Sequence, residues 1–274
     1  MAETDSADAE IGDLLRDWDA RQYLDYYYAQ PSLPDDEVMI FRFIANGLRD
    51  IGRRFEAGLE LGCGPTLHHA AQLVPWVDRL DLADVQEPNL EEIRRWLRAE
   101  PGAFDWSVYL GGVLDAEAGR GGSLADREAL LRARIQLARC DLREPYPLGA
   151  AVQYPLVASN YCIEWVIPDV AGWRATMRNV SSLVATGGWL FLVGVHATDY
   201  CMINGRRVPC AHITQDDVRG ALVDLGFDDR TLRIEVIPAP LPAAWGIQGT
   251  FMARAQRSAA CAGPDADPSV AARG

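Results

Sequence analysis

The sequence predicts an α/β fold, a doubly wound sheet with helices on both faces. Three observations carry that expectation. Strand-like apolar runs alternate with segments of helical spacing through most of the chain, the pattern of a sheet crossed by helices. The run 189–195 is almost wholly apolar, as suits a central strand covered on both sides. The turn Gly62-Cys63-Gly64 separates a strand pattern from a helix pattern, which is where such sheets bind ligands.

The elements follow in chain order. Residues 1–17 are acidic and small and read as a flexible N-terminus; aromatic residues then crowd 18–28. Residues 34–54 set Val38, Phe41, Ile44, Ala45 and Leu48 on one helical face behind Pro34. A strand over 58–61 ends in the glycine turn, followed by a helix over 67–74 and a strand over 79–83. Leu90, Ile93 and Leu97 predict a helix over 89–100, and 101–122 read as a glycine-rich stretch. A helix over 124–134, strands over 135–140 and 154–161 and a helix over 171–184 come next, the last stopped by Gly187-Gly188. After the 189–195 strand, a helix over 214–225 has Thr214 as N-cap with Asp217 three residues on, a weak capping box. Two strands, 233–237 and 249–254, close a single domain over 18–257, and the Ala/Pro/Gly/Asp-rich segment 258–274 is expected to be disordered.

Composition narrows the function. The 274 residues carry 26 basic and 39 acidic side chains, a formal net charge of −13, and every basic residue is Arg. Such a chain is a poor partner for nucleic-acid phosphates and anionic membranes, and without Lys it has no Schiff-base chemistry. No apolar run is long enough to span a bilayer, and the acidic start lacks a signal peptide's apolar core. Six scattered cysteines without a CxxC pair fit reduced thiols in the cytoplasm. An Arg-only, Ala/Gly/Pro-rich composition is associated with high-GC bacterial genes and so with a specialised-metabolite substrate.

Three segments fall at successive strand ends. Gly62 and Gly64 allow close backbone approach, and the helix start at Thr66 offers free N–H groups. Asp84, about 20 residues further on, stands where a carboxylate accepts ribose hydroxyls, or else caps the following helix. Asp141 could accept from an adenine amino group or simply shape a turn. A nicotinamide dinucleotide uses the same parts, but His68-His69 occupy the third glycine position of its fingerprint, and a glycine-poor turn suits a ligand without pyrophosphate, such as S-adenosylmethionine. Adjacent helical positions point to different faces and no third ligand accompanies His68 and His69, so no metal site is expected.

Over 23–256 these residues resemble the small-molecule methyltransferases that include nicotinamide, phenylethanolamine and thioether methyltransferases. The marks are the tyrosines between Tyr23 and Tyr28, the run Gly62 to Thr66, Asp84 with Asn89 and Trp96, the stretch Glu100 to Trp106, Cys140-Asp141, Asn160 to Glu164 with Pro168-Asp169, and Gly187-Gly188. The resemblance implies a Rossmann-like methyltransferase sheet with an N-terminal helical lid, the lid and its helix occupying 18–56. It implies S-adenosylmethionine as cofactor, leaving S-adenosylhomocysteine. Tyr23 and Tyr28 would cover it, Gly62, Cys63, Gly64 and Thr66 would line its methionine part, Asp84 would hold the ribose with Val85 and Asn89 nearby, Asp141 and Leu142 would flank the adenine, and Asn160 would meet the amino-acid end. Gly194 stands where the nicotinamide enzyme has an aspartate, which makes nicotinamide a poor substrate here, and Cys201 and Cys210 replace its pocket tyrosine and serine. Glu164 matches a substrate-binding glutamate of the phenylethanolamine enzyme. Tyr27, Tyr161, Trp165, Thr198, Cys201 and Trp245 would line the acceptor pocket with it, and Glu164, His212 or Tyr28 would serve as catalytic base. The expected substrate is an aromatic amine or an indole, methylated at nitrogen or at indole C3, by a monomer or homodimer. A thioether or O-methyl acceptor, or a non-catalytic nucleotide-binding protein of the same fold, are the alternatives.

Overall fold

The structure is a computed structural model and describes residues 16–117, 122–203, 205–239 and 246–258. The strands are β1 Phe55–Leu61, β2 Val77–Asp84, β3 Ile135–Arg139, β4 Tyr154–Asn160, β5 Val184–His196, β6 Tyr200–Ile203, β7 Arg206–Pro209, β8 Arg233–Pro238 and β9 Gly249–Gln256. The helices are α1 Ala20–Tyr27, α2 Asp35–Ile51, α3 His68–Leu73, α4 Glu87–Leu97, α5 Ser107–Ala116, α6 Leu124–Arg134, α7 Ile163–Val166, α8 Val170–Ser182 and α9 Gln215–Asp224. Seven strands form one sheet in the order β3-β2-β1-β4-β5-β9-β8, and β6 and β7 form a separate hairpin. The first five are parallel, while β9 runs antiparallel to both β5 and β8. Strand order reverses between β1 and β4, and the crevice there is the ligand-binding end of a doubly wound sheet.

Period-two alternation explains the two faces. Leu156 and Ala158 of β4 and Phe191 and Val193 of β5 turn toward α2, α3 and α5, where Phe41, Leu48, Leu110 and Val113 are buried. Their neighbours Val157, Leu190 and Leu192 turn the other way, onto Trp173 and Met177 of α8 and Val218 and Leu222 of α9. Helix starts are set by side chains: Asp19 accepts from the Gln22 amide and Asp169 from the Gly172 amide, while Ser123 with Asp126 and Thr214 with Asp217 form full capping boxes.

The expected elements are present, with several shifts. The stretch 101–122, read as glycine-rich, contains α5 with Gly111 and Gly112 inside it. A Cβ at Gly112 would lie 1.9 Å from Leu33 Cδ1, so the missing side chain is what lets the segment before α2 pack on that helix. Gly187 and Gly188 lie within β5 rather than stopping α8, which has already ended at Ser182. The short α7 and the β6–β7 hairpin give too few residues for a periodic signal. Most of the expected flexible N-terminus 1–17, nearly all of the expected tail 258–274, and Trp245 lie outside the described residues.

At the crevice, Gly62 has φ +61°, and a Cβ there would sit 2.0 Å from Cys162 Sγ. Gly62→Ala should therefore destabilise the fold by about 2–4 kcal/mol through overpacking and left-handed strain. Gly111→Ala, with nothing within 4 Å of its new Cβ, should instead gain about 0.5–1 kcal/mol of helix stability. Denaturant unfolding of the two variants measures both signs.

Candidate active site

A cavity of about 760 Å³ opens at the carboxyl ends of β1, β2, β3 and β4, beneath α1. Its volume lies within the ordinary range for small-molecule sites. One half is built on backbone turns. Gly62, Cys63, Gly64 and Thr66 come from the turn after β1, Asp84, Val85, Gln86 and Asn89 from the end of β2 and the start of α4, and Cys140, Asp141, Leu142 and Arg143 from the turn after β3.

Asp84 ties these pieces together. Its Oδ2 accepts from the Gly64 amide at 2.9 Å, and its Oδ1 accepts from the Gln86 amide at 2.8 Å and from Asn89 Nδ2 at 3.1 Å. Burial raises its carboxyl above the ordinary value, against the pull of those three donors. Asp141 is held by its neighbour: Arg143 Nη2 and Nε donate to its two carboxylate oxygens at 2.6 and 2.8 Å, and that pairing lowers the Asp141 carboxyl. At the switch point, Glu60 Oε1 accepts from Asn160 Nδ2 at 3.2 Å, while Glu60 Oε2 and Asn160 Oδ1 are buried without a partner. Glu60 lines the cavity although the sequence reading did not single it out; a lone carboxylate between Leu59 and Leu61 in a buried strand was the available signal.

The other half is aromatic and acidic. Tyr27, Tyr28, Tyr109, Tyr161, Trp165, Cys201, Ile203, Val208 and Thr250 line it, with Asp36, Glu37 and His69 on the same wall. Tyr161 holds a left-handed φ of 49° at the end of β4, and its hydroxyl lies 2.9 Å from Thr250 Oγ1. A bulky residue there is a backbone outlier. Glu37 Oε1 lies 3.8 Å from His68 Nε2, and Glu37 Oε2 lies 3.7 Å from His69 Nε2. Burial pushes Glu37 up to about 8 and His69 down to about 3.

Residues 18–27 bridge both halves. Trp18 Nε1 donates to Asn89 Oδ1 at 2.6 Å, Arg21 donates to the Gly102 carbonyl at 2.8 Å, and the Tyr27 hydroxyl donates to the Met202 carbonyl on the hairpin. Tyr23 packs between Trp18 and Tyr27, with ring centroids 5.1 and 4.8 Å away.

The cavity thus brings together Tyr23, Tyr28, Gly62, Cys63, Gly64, Thr66, Asp84, Val85, Asn89, Asp141, Leu142, Asn160, Tyr27, Tyr161, Trp165 and Cys201. Several expectations need correction. Glu164 does not line the cavity; it is buried behind the wall, and its Oε1 accepts from the Val195 amide at 2.9 Å. His212 is exposed, its Nδ1 2.8 Å from Asp199 Oδ1, and it too is off the cavity wall. Thr198 is fully buried; its hydroxyl donates to the His196 carbonyl and accepts from the Gln248 amide, so it braces a turn. Tyr28 is on the wall, but burial raises its phenol well above the ordinary value, so it offers a proton and does not accept one. His68 and His69 do not face apart: their ring centroids are 4.0 Å from each other, with Glu37 as a third group.

A model of the NNMT/PNMT/TEMT family matches residues 9–258. The chain is 32% identical over 272 residues to the phenylethanolamine N-methyltransferase of Sus scrofa, covering 93% of this chain and 94% of that protein. It is 28% identical over 219 residues to the nicotinamide N-methyltransferase of Homo sapiens, covering 78% of this chain and 83% of the other. Its fold is similar to that of the Burkholderia thailandensis 1,6-didemethyltoxoflavin-N1-methyltransferase, solved with 1,6-didemethyltoxoflavin and S-adenosylhomocysteine: the TM-score is 0.54 at 13% identity, over 94% of each chain.

Burial raises the Glu60 carboxyl from 4.5 to about 8 and that of Glu164 from 4.5 to about 7. The folded protein keeps these protons where the unfolded chain has released them. Stability should fall as pH rises from about 4.5 through the folded values and level off above about 8. Thermal unfolding from pH 5 to 9 measures the slope, and Glu164→Gln should remove the part lying below about 7.

Proposed function

The chain belongs to the NNMT/PNMT/TEMT family of S-adenosylmethionine-dependent methyltransferases, and on that premise we propose that it methylates the nitrogen of a small aromatic amine, indoles included. One observation carries the acceptor class. Tyr27, Tyr28, Tyr161 and Trp165 stand on the wall with Asp36, and Arg143, the one guanidinium among the described lining residues, is held by Asp141. Aromatic faces beside carboxyls welcome a flat ring and a cation, and the one lining guanidinium is already paired.

The residues present fit the cofactor. The partnerless oxygens of Glu60 and Asn160 face the switch point and suit an amino-acid end. Gly62, Cys63, Gly64 and Thr66 would run beside that end, Asp84 and Asn89 would take the ribose hydroxyls, and Leu142 with Cys140 would flank the adenine. The bound cofactor supplies a methyl group on a sulfonium, which is electrophilic without further activation. The chain's part is then to align and to dry the site. Tyr27 and Trp18 close the lid, the aromatic wall orients the ring, and water is excluded from the line of attack. An amine that arrives neutral needs no base before it attacks, whereas an indole nitrogen, whose lone pair belongs to the ring, would have to give up its N–H proton. Asp36, whose carboxyl burial raises and whose Oδ1 lacks a partner, is placed to take the proton the product releases. We infer a cytoplasmic role in specialised metabolism, for which the scattered cysteines and the Arg-only composition are the support.

Calorimetric titration with S-adenosylhomocysteine, with NAD as control, tests the cofactor assignment. Micromolar binding of the former alone is expected, weakened about 100-fold by Asp84→Ala through loss of charge-assisted hydrogen bonds. An unchanged affinity would remove Asp84 from the site. Mass spectrometry of reactions with aryl amines, indoles and aryl carboxylates should show methyl gain on the nitrogen compounds alone; turnover on carboxylates would overturn the acceptor class.

A further inference from the structure

The first turn of α2 and the first turn of α3 meet at the inner wall of the acceptor half, and there Glu37, His68 and His69 converge. One donor atom from each lies within 4.8 Å of the others, and all three residues are buried. The two Glu37 contacts, at 3.8 and 3.7 Å, are too long for hydrogen bonds, whose usual limit is about 3.2 Å. They are shorter than about 4.2 Å, twice a metal–ligand bond of about 2.1 Å. Both nitrogens of His68, Nε2 of His69 and Oε2 of Glu37 have no hydrogen-bond partner. Buried polar atoms are normally satisfied, and one partnerless atom on each of three converging residues needs a shared explanation, the second His68 nitrogen pointing elsewhere. Packing alone does not supply one. His68 has no exposure at all, and its ring is boxed by Tyr28, Phe41, Trp106 and Tyr109, none of which pairs with its nitrogens.

We propose that Glu37, His68 and His69 bind one divalent first-row cation, of the zinc or iron(II) kind. Two imidazoles and one carboxylate are the donor set of such ions and not of magnesium or calcium, which take oxygen ligands. Three protein ligands leave coordination positions open. Glu37 and His69 line the cavity while His68 does not, so an ion held by the three would lie beside the acceptor half. An ion there holds water or a heteroatom of the acceptor and fixes its position against the cofactor half. The site does not depend on which acceptor is methylated.

The test uses the full chain, stripped with a chelator and titrated calorimetrically with zinc chloride. One ion per chain at micromolar affinity or tighter is expected. His69→Gln and Glu37→Gln should each weaken it by about 100-fold or more, since loss of even an outer-shell partner costs about 10–100-fold. S-adenosylhomocysteine titrated into the same variants reports whether they fold. Failure of the wild type to bind S-adenosylhomocysteine would count against the methyltransferase reading, not against the ion site. X-ray absorption at the zinc edge of the wild type needs no variant: two imidazoles with oxygen support the site, and a shell with sulfur or without imidazole overturns it. No stoichiometric binding, or binding unchanged in both folded variants, also overturns it.

Discussion

A single buried carboxylate organises the ligand-binding end of this sheet. Asp84 receives the Gly64 amide from the turn after β1, the Gln86 amide from its own strand end, and the side chain of Asn89 from α4. Each is a hydrogen bond to a charged acceptor, worth about 1.5–3 kcal/mol. Three separate segments are thereby held at one point, the glycine turn among them. Because Asn89 also accepts from Trp18, the same chain of bonds reaches the lid. The shape of the cavity follows from this one side chain more than from any other.

The sheet was legible because its strands alternate and its helices carry apolar stripes, and these patterns survive without any knowledge of neighbours. Boundaries were less so. α5 was hidden by two glycines whose purpose, room for Leu33, is set by a segment far away in sequence. The site divides in the same way. Gly62, Gly64 and Asp84 stand at fixed offsets from strand ends, so position alone placed them on the cavity. Resemblance makes Glu164 a candidate base, yet position along the chain does not say which way a side chain turns, and this one turns to the Val195 amide. The histidine pair was visible in the chain, but Glu37 comes from another helix, and only the packing of α2 on α3 brings it there.

The carboxyls of the interior sort by their partners. Glu164 is buried and answered by a backbone donor, and it sits behind the wall as a brace. Glu60 and Glu37 are buried and Asp36 partly so, each with an oxygen unanswered, and all three line the cavity. Leaving such atoms unpaired costs stability, and a fold keeps that cost where a ligand will remove it.

The lid is tied at its two ends to different things. Trp18 hangs on Asn89 beside the glycine turn, whereas Tyr27 hangs on Met202 of the β6–β7 hairpin, over the aromatic half. The two compartments therefore share one cover with two fastenings, joined by the eight residues of α1. A cover fastened on both compartments has to give up both bonds before it can leave either.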